Sequence, residues 1–137
     1  MPVEYSVNPS IDVDQFIDLL ARSTLAERRP VEDRVCMQGM VDNSNLMICA
    51  WHEDTLIGIA RSMTDFHYAC YMSDLAVDQH WQKQGIGRRL IELTRERLQP
   101  RCNLILISAP QAEDYYPHLG FGHNSRCYVL GPEQALR

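Results

Sequence analysis

Apolar residues alternate weakly over residues 3–7 and give way to Asn8-Pro9-Ser10, a pattern that predicts a short strand ended by a turn. Phe16, Leu19 and Leu20 then recur at helical spacing, and Asp12 followed by Gln15 has the form of a capping box, so a helix is predicted over residues 13 to 22. Pro30 suits a first helical position, and Val31, Val35 and Met40 predict a second helix that ends before Asp42-Asn43-Ser44-Asn45. Two strand-like runs, residues 46–53 and 56–64, flank Asp54-Thr55 as a hairpin, and Gly58 in the second run marks a point of close approach.

Residues 69–77 carry another strand pattern. Between residues 85 and 98, Ile86, Leu90, Ile91, Leu93 and Leu98 form a broad apolar helical face that Pro100 brings to an end. Residues 103–108 read as a nearly continuous apolar strand covered on both faces, and residues 111–119 as a short helix closed by Gly120. The tail from Phe121 is expected to add one or two strands. The order β-α-α-β-β-β-α-β-α-β predicts a three-layer α/β domain with a mixed, mostly antiparallel central sheet, and leaves the strand order open.

Length and composition fit one domain spanning residues 1–137: 45% of the chain is hydrophobic, and its seven glycines and seven prolines are scattered without a linker or repeat. The start lacks the basic residues and apolar block of a signal peptide, and the longest apolar runs are too short to cross a bilayer. A cytoplasmic protein without a membrane partner is expected, as monomer or homodimer. Cys36, Cys49, Cys70, Cys102 and Cys127 form no CxxC pair and read as free thiols, with no metal site. A formal charge of −5 argues against a nucleic-acid partner, while leaving room for a local anion site.

Such a site is suggested where the strand ending at Val77 runs through a polar loop into a helix opened by Gly85 and Gly87. The first amides of a helix lack internal partners and the helix dipole adds partial positive charge, so phosphate is the natural guest. Glycine allows close backbone approach, and Lys83, Arg88 and Arg89 add positive charge. An ordinary flexible helix start with solvated charges explains the loop as well. A Walker loop is excluded because Arg88-Arg89 follow Gly87, and a Rossmann turn because Leu90 stands where a third small residue belongs.

Gln82-Lys83-Gln84-Gly85-Ile86-Gly87 matches Q/R-x-x-G-x-G/A, and Ala112-Glu113-Asp114-Tyr115-Tyr116-Pro117-His118-Leu119-Gly120-Phe121 is similar to A-x-x-F-Y-x-K-L-G-F. With both segments in this order, the chain resembles the GNAT family, the Gcn5-related N-acetyltransferases. The resemblance implies a GNAT-like fold that binds acetyl-CoA, with its pyrophosphate on the amides from Gln82, Lys83, Gln84, Gly85, Ile86 and Gly87 through Arg88. The pantetheine arm would pair with Leu75, Ala76 and Val77 on a strand splayed at a bulge. Ala109 stands where many members have Asn, and Pro117 interrupts the last helix.

The reaction so implied is attack of a primary amine on a thioester. An alkyl amine with a pKa of about 10.4 is almost entirely protonated at neutral pH, so a proton acceptor is needed. Asp74 is the leading candidate, although a carboxylate there can equally serve as an arginine's partner; Asp65, Glu53 and His67 are weaker ones. An amide near Leu75 or Ala76 would meet the oxyanion. Tyr116 resembles the tyrosine that assists the leaving thiolate in many family members, and as a residue type it fits equally well as a core aromatic. Arg28, Arg29, Arg61, Tyr68 and Tyr71 are candidates to line the acceptor entrance without revealing which amine enters. A domain of the same fold that binds acyl-CoA without catalysis is the alternative, and it would keep the same loop.

Overall fold

A computed structural model describes residues 2–137, which group into two compact units, one ending at Ile107 and the other Ser108–Arg137. The first unit has a three-layer α/β architecture. Its elements are β1 (Glu4–Val7), α1 (Val13–Ser23), α2 (Arg34–Asn43), β2 (Leu46–His52), β3 (Thr55–Thr64), β4 (Ala69–Val77), α3 (Ile86–Glu96) and β5 (Asn103–Ile105). The five strands form one sheet in the order β1-β2-β3-β4-β5, antiparallel throughout except for the parallel pair β4–β5.

The predicted capping box forms. The Gln15 amide donates to Asp12 Oδ1 at 2.8 Å, and the Asp12 amide donates to Gln15 Oε1 at 3.0 Å, which satisfies donors that the helix start cannot pair internally. With α1 so fixed, Phe16, Leu19 and Leu20 are fully buried and pack in one cluster with Met37 of α2 and Met47, Cys49, Ile59 and Ala76 of the sheet. The opposite sheet face receives α3. Gly58 is the contact point: a Cβ there would lie 3.2 Å from Leu90 Cδ1 and 3.3 Å from Ile86 Cγ2 and Ala50 Cβ.

Several boundaries differ from the sequence pattern for local reasons. Residues 30–33 form turns, with the Val31 and Asp33 amides donating to the Arg29 and Pro30 carbonyls, and α2 starts only after Asp33 caps the Cys36 amide. The hairpin turns on Glu53-Asp54 because His52 pairs with Thr55 and Glu53 adopts a φ of 53°. β5 stops at Ile105, pairing with residues 69–71 of β4, and Ile105 and Ile107 stay exposed rather than doubly covered.

The second unit contains a 3₁₀ turn at Pro110–Ala112 and one helical turn, α4 (Tyr115–His118). Pro117 cannot donate to the Glu113 carbonyl, so a continuous helix over residues 111–119 does not form; proline is accommodated in the first turn of α4. Gly120 follows α4 with a φ of 101°, as expected of a closing glycine. The strands expected after Phe121 are absent among the described residues. The apolar run 127–130 is bounded by turns at Asn124 and Gly131 and is too short to organise a ladder by itself. No helix among the described residues is long and apolar enough to cross a membrane.

Gly58→Val would push two methyl groups into Leu90 and Ile86, and overpacking of this kind costs about 1–3 kcal/mol. A urea titration is expected to show that loss; an unchanged midpoint would mean that α3 does not rest on β3 as described.

Candidate functional site

The site begins with an interruption in the sheet. Arg61 opposes Asp74 while Ser62 opposes Met72, so Ser73 is the extra residue of a bulge on β4. Beyond Tyr71, β4 has no strand partner on its outer side among the described residues. Asp78 donates its amide to Ile57 O at 2.8 Å, and alternation along the strand therefore directs the N–H and C=O of Leu75 and Val77 to the open edge, while Ala76 faces β3. Of the two amides considered from the sequence, Leu75 is the one available to a ligand.

β4 leads directly into the glycine loop. Lys83 and Gly85 both take left-handed backbone conformations, with φ of 63° and 84°. Nothing lies within 4 Å of a Cβ added to Gly85, so the requirement for glycine there is its φ rather than space. Gly85 caps α3 without a side-chain acceptor, and the Arg89 amide donates to Gly85 O, which leaves the amides of Ile86, Gly87 and Arg88 without an acceptor in their own helix. Lys83 and Arg88 are exposed and form no ion pair among the described residues, whereas Arg89 approaches Glu92 and Glu96. Gln82 turns back, its Nε2 donating to Val77 O at 3.0 Å, and so takes up one of the open-edge carbonyls.

An anchor not singled out from the sequence holds this loop. Asp78 Oδ1 accepts from the His80 amide at 2.8 Å, and Oδ2 pairs with Arg22 Nη1, whose Nη2 donates to Leu56 O at 2.7 Å. The clasp joins the end of α1, the start of β3 and the 3₁₀ turn Gln79–Trp81, and the Trp81 ring lies 4.8 Å from that of His52. Burial raises the Asp78 carboxyl, but the His80 amide and the Arg22 guanidinium outweigh it and hold the group below its ordinary 3.8. The signal was an aspartate directly before a short turn. Its arginine lies 56 residues away.

Asp74 is fully buried, and it is the partner of two arginines. Arg29 Nε donates to its Oδ1 at 2.6 Å and Arg61 Nε to its Oδ2 at 2.5 Å. Both carboxylate oxygens are taken up by guanidiniums. Arg29 and Arg61, expected at an open entrance, are thus drawn inward, where with Cys36, Gly39, Met40, Asn43, Met63 and Ser73 they line a cleft of ≈ 510 Å³. Arg28, Tyr68 and Tyr71 lie outside this lining. Asp65 is occupied in its own turn, one oxygen accepting from the amides of His67, Tyr68 and Ala69, bonds that hold its carboxyl below the usual range.

In the second unit, the Tyr116 ring meets those of Tyr115 and Phe121 edge-on, with centroids 5.3 and 5.4 Å apart. Burial, and then the neighbouring Tyr115, push its phenol above the ordinary 10.0, so it stays protonated through the neutral range. Among the described residues no group of three or more His, Cys, Asp or Glu is placed to hold a metal.

The sequence matches the family described as Acetyltransferase (GNAT) domain over residues 24–129. It is 39% identical over 71 residues to "GCN5-related N-acetyltransferase 2, chloroplastic" of Arabidopsis thaliana, a match covering 50% of this chain and 28% of that protein. In three dimensions it is similar to a GNAT family acetyltransferase from Streptococcus pneumoniae, with a TM-score of 0.77, 15% identity and coverage of 96% and 100% of the two chains. It is also similar to the aminoglycoside N-acetyltransferase AAC(6')-Iy in complex with CoA, with a TM-score of 0.71, 13% identity and coverage of 96% and 95%.

The Asp78 clasp has a pH signature. Because the folded-state pKa is depressed, its contribution is complete above the unfolded carboxylate's pKa and is lost as pH falls through the folded one. Urea titrations from about pH 6 to about pH 3 are expected to show a steeper loss of stability for the native sequence than for Asp78→Asn. Parallel curves would mean that the clasp contributes nothing.

Proposed function

Because the chain belongs to the acetyltransferase (GNAT) domain family, we propose that it is an N-acetyltransferase moving an acetyl group from acetyl-CoA to a primary amine. The observation that carries this reading is the connection from β4 to α3, where an open strand edge leads through the glycine loop to three helix-start amides with no acceptor in their helix. The extended amide-bearing arm of CoA fits the first and its pyrophosphate fits the second. The CoA complex of the aminoglycoside enzyme, which shares the fold, supports the same co-substrate.

Within this reading, Ile86, Gly87 and Arg88 hold the pyrophosphate through their amides. Gln82, Lys83, Gln84 and Gly85 shape the approach, with Lys83 and Arg88 supplying charge. Leu75 and Val77 hold the pantetheine arm from the strand edge, Ala76 supporting them from the β3 side. When bound, acetyl-CoA supplies the activated acetyl group. The Leu75 amide is the donor for charge developing on the acyl oxygen; for Tyr116, it is the family resemblance that supports a role as hydrogen-bond donor to the departing sulfur. Asp74 positions Arg29 and Arg61 instead of collecting the acceptor's proton, which leaves through water in the cleft. The matched Arabidopsis protein is much longer than the stretch it shares with this chain, and its chloroplastic name does not fix a compartment here. With all five cysteines free, a reducing aqueous compartment such as the cytoplasm suits the chain.

Acetyl-CoA at about a hundred times its Kd is expected to stabilise the fold by roughly 2.7 kcal/mol. A thermal melt unmoved by millimolar acetyl-CoA would sink the co-substrate assignment.

Tyr116→Phe keeps the ring and its edge-on contacts and removes one oxygen, so kcat is expected to fall about 10²-fold with KM for acetyl-CoA nearly unchanged. Tyr115→Phe is the comparison. Small, equal effects at both positions would assign these rings to packing, and thiol release absent from every variant and the native chain, with acetyl-CoA still bound, would favour a non-catalytic acyl-CoA-binding domain.

A further inference from the structure

Arg61 is almost completely buried, with 4% of its side chain exposed, yet its donors are unevenly used. Nε serves Asp74, and Nη1 lies 3.2 Å from Met40 O, 3.0 Å from Ser44 Oγ and 3.6 Å from Met63 Sδ. Nη2 makes no hydrogen bond among the described residues, on a side chain that lines the ≈ 510 Å³ cleft. Nη2 is therefore the part of the Arg61 guanidinium left to meet a carboxylate that enters the cleft.

The charges in the cleft agree. Two guanidiniums face one carboxylate, which leaves a net positive wall, and none of the other lining residues is acidic. Arg29 gives one hydrogen each from Nη1 and Nη2 to Arg28 O and Ser73 O, so a second hydrogen on each nitrogen is uncommitted. The rest of the lining is largely apolar, with Met40 and Met63 as its thioethers. Ser73 belongs both to the cleft and to the bulge where β4 opens, so a molecule in the cleft lies beside the strand edge assigned to the acyl donor.

We propose that the acceptor is an amine bearing its own carboxylate and an apolar side chain, in the manner of a free amino acid. Its carboxylate is bound by Arg61 Nη2 and the Arg29 guanidinium, and its side chain lies against Met40 and Met63. This rests on the acetyltransferase reading. A polyamine such as an aminoglycoside, the substrate named for one structural neighbour, would meet the positive wall unfavourably.

The test follows thiol release from acetyl-CoA with paired acceptors, L-methionine and L-leucine against their amides and their decarboxylated amines. The acids are expected to exceed their amides in kcat/KM by about tenfold or more, the scale of a charge-assisted hydrogen bond. The comparison is conservative, since the amide's amine is the less basic and more readily free. Equal rates, or faster reaction of the amides, would overturn the proposal while leaving acetyl transfer intact. A second readout needs no turnover. Cys36 is exposed and lines the cleft, whereas Cys127 is exposed in the second unit. Alkylation mapped by mass spectrometry is expected to slow at Cys36, but not at Cys127, when L-methionine is present and to stay unchanged with methioninamide. Protection without thiol release from any amine would keep the carboxylate site and discard the transfer reading. No protection by either compound would overturn the carboxylate site. Arg61→Lys keeps the charge but removes Nη2 together with the Nε bond to Asp74, so a general loss is expected for both kinds of acceptor, with the acids losing about tenfold more in kcat/KM than the amides. Equal losses for both would give Arg61 a purely structural role.

Discussion

A single carboxylate, removed from solvent and shared between two guanidiniums, decides where the parts of the first unit meet. Asp74 stands next to the bulge, and its two oxygens engage Arg61 from the neighbouring strand and Arg29 from the segment joining α1 to α2. Desolvating three charges is unfavourable unless each is met in good geometry. That demand fixes the register of β3 on β4 and the seat of the helical segment together. The same ion pairs occupy both oxygens of that carboxylate and bring two guanidiniums to the cleft. Arginine can bridge in this way because its planar fork reaches a carboxylate and backbone carbonyls at once: Arg29 also holds Ser73 O, and Arg61 also approaches Met40 O.

A second carboxylate does comparable work at the other end of β4. Asp78 gathers α1, β3 and the turn before the glycine loop, so the loop starts from a fixed point although Gln82 through Gly85 are exposed. Its left-handed residues then aim the start of α3 outward. The loop's geometry is thus imposed from both sides, by the clasp before it and by Ile86 and Leu90 packed over Gly58 after it.

What the sequence made legible was what neighbouring residues decide among themselves. The capping box of α1, the full extent of β4 and the glycine-opened helix depend on residues three or four apart, and each forms as patterned. The helix starting at Arg34 was obscured because Pro30 suits a turn as well as a helix start. The hairpin shifted by one residue because Glu53 accepted a backbone conformation usually left to glycine or asparagine. The partners of Asp74 and Asp78 were beyond reach, since they lie 45, 13 and 56 residues away and nothing in a one-dimensional pattern says which arginine is desolvated. The tail after Phe121 failed in the opposite sense: an apolar run was present, but it forms no ladder among the described residues.

The strands occur in space in the order in which they occur in the chain, and this has a bearing on how the molecule is assembled. β2, β3 and β4 are joined by short connections and can close as a local meander, which already contains Arg61 and Asp74. β1 joins β2 only after the segment bearing α1, Arg29 and α2 has been looped back, and β5 joins β4 only after the crossover bearing the glycine loop and α3. Closing these longer loops costs more chain entropy than closing the hairpins. One wall of the cleft and the whole glycine loop therefore arrive on separate non-local closures, and Asp74 remains a carboxylate paired on one side only until the first of them is complete. A polypeptide stalled at the meander would hold a sheet without a site, so ligand affinity measures completion of the fold, not the presence of its central strands.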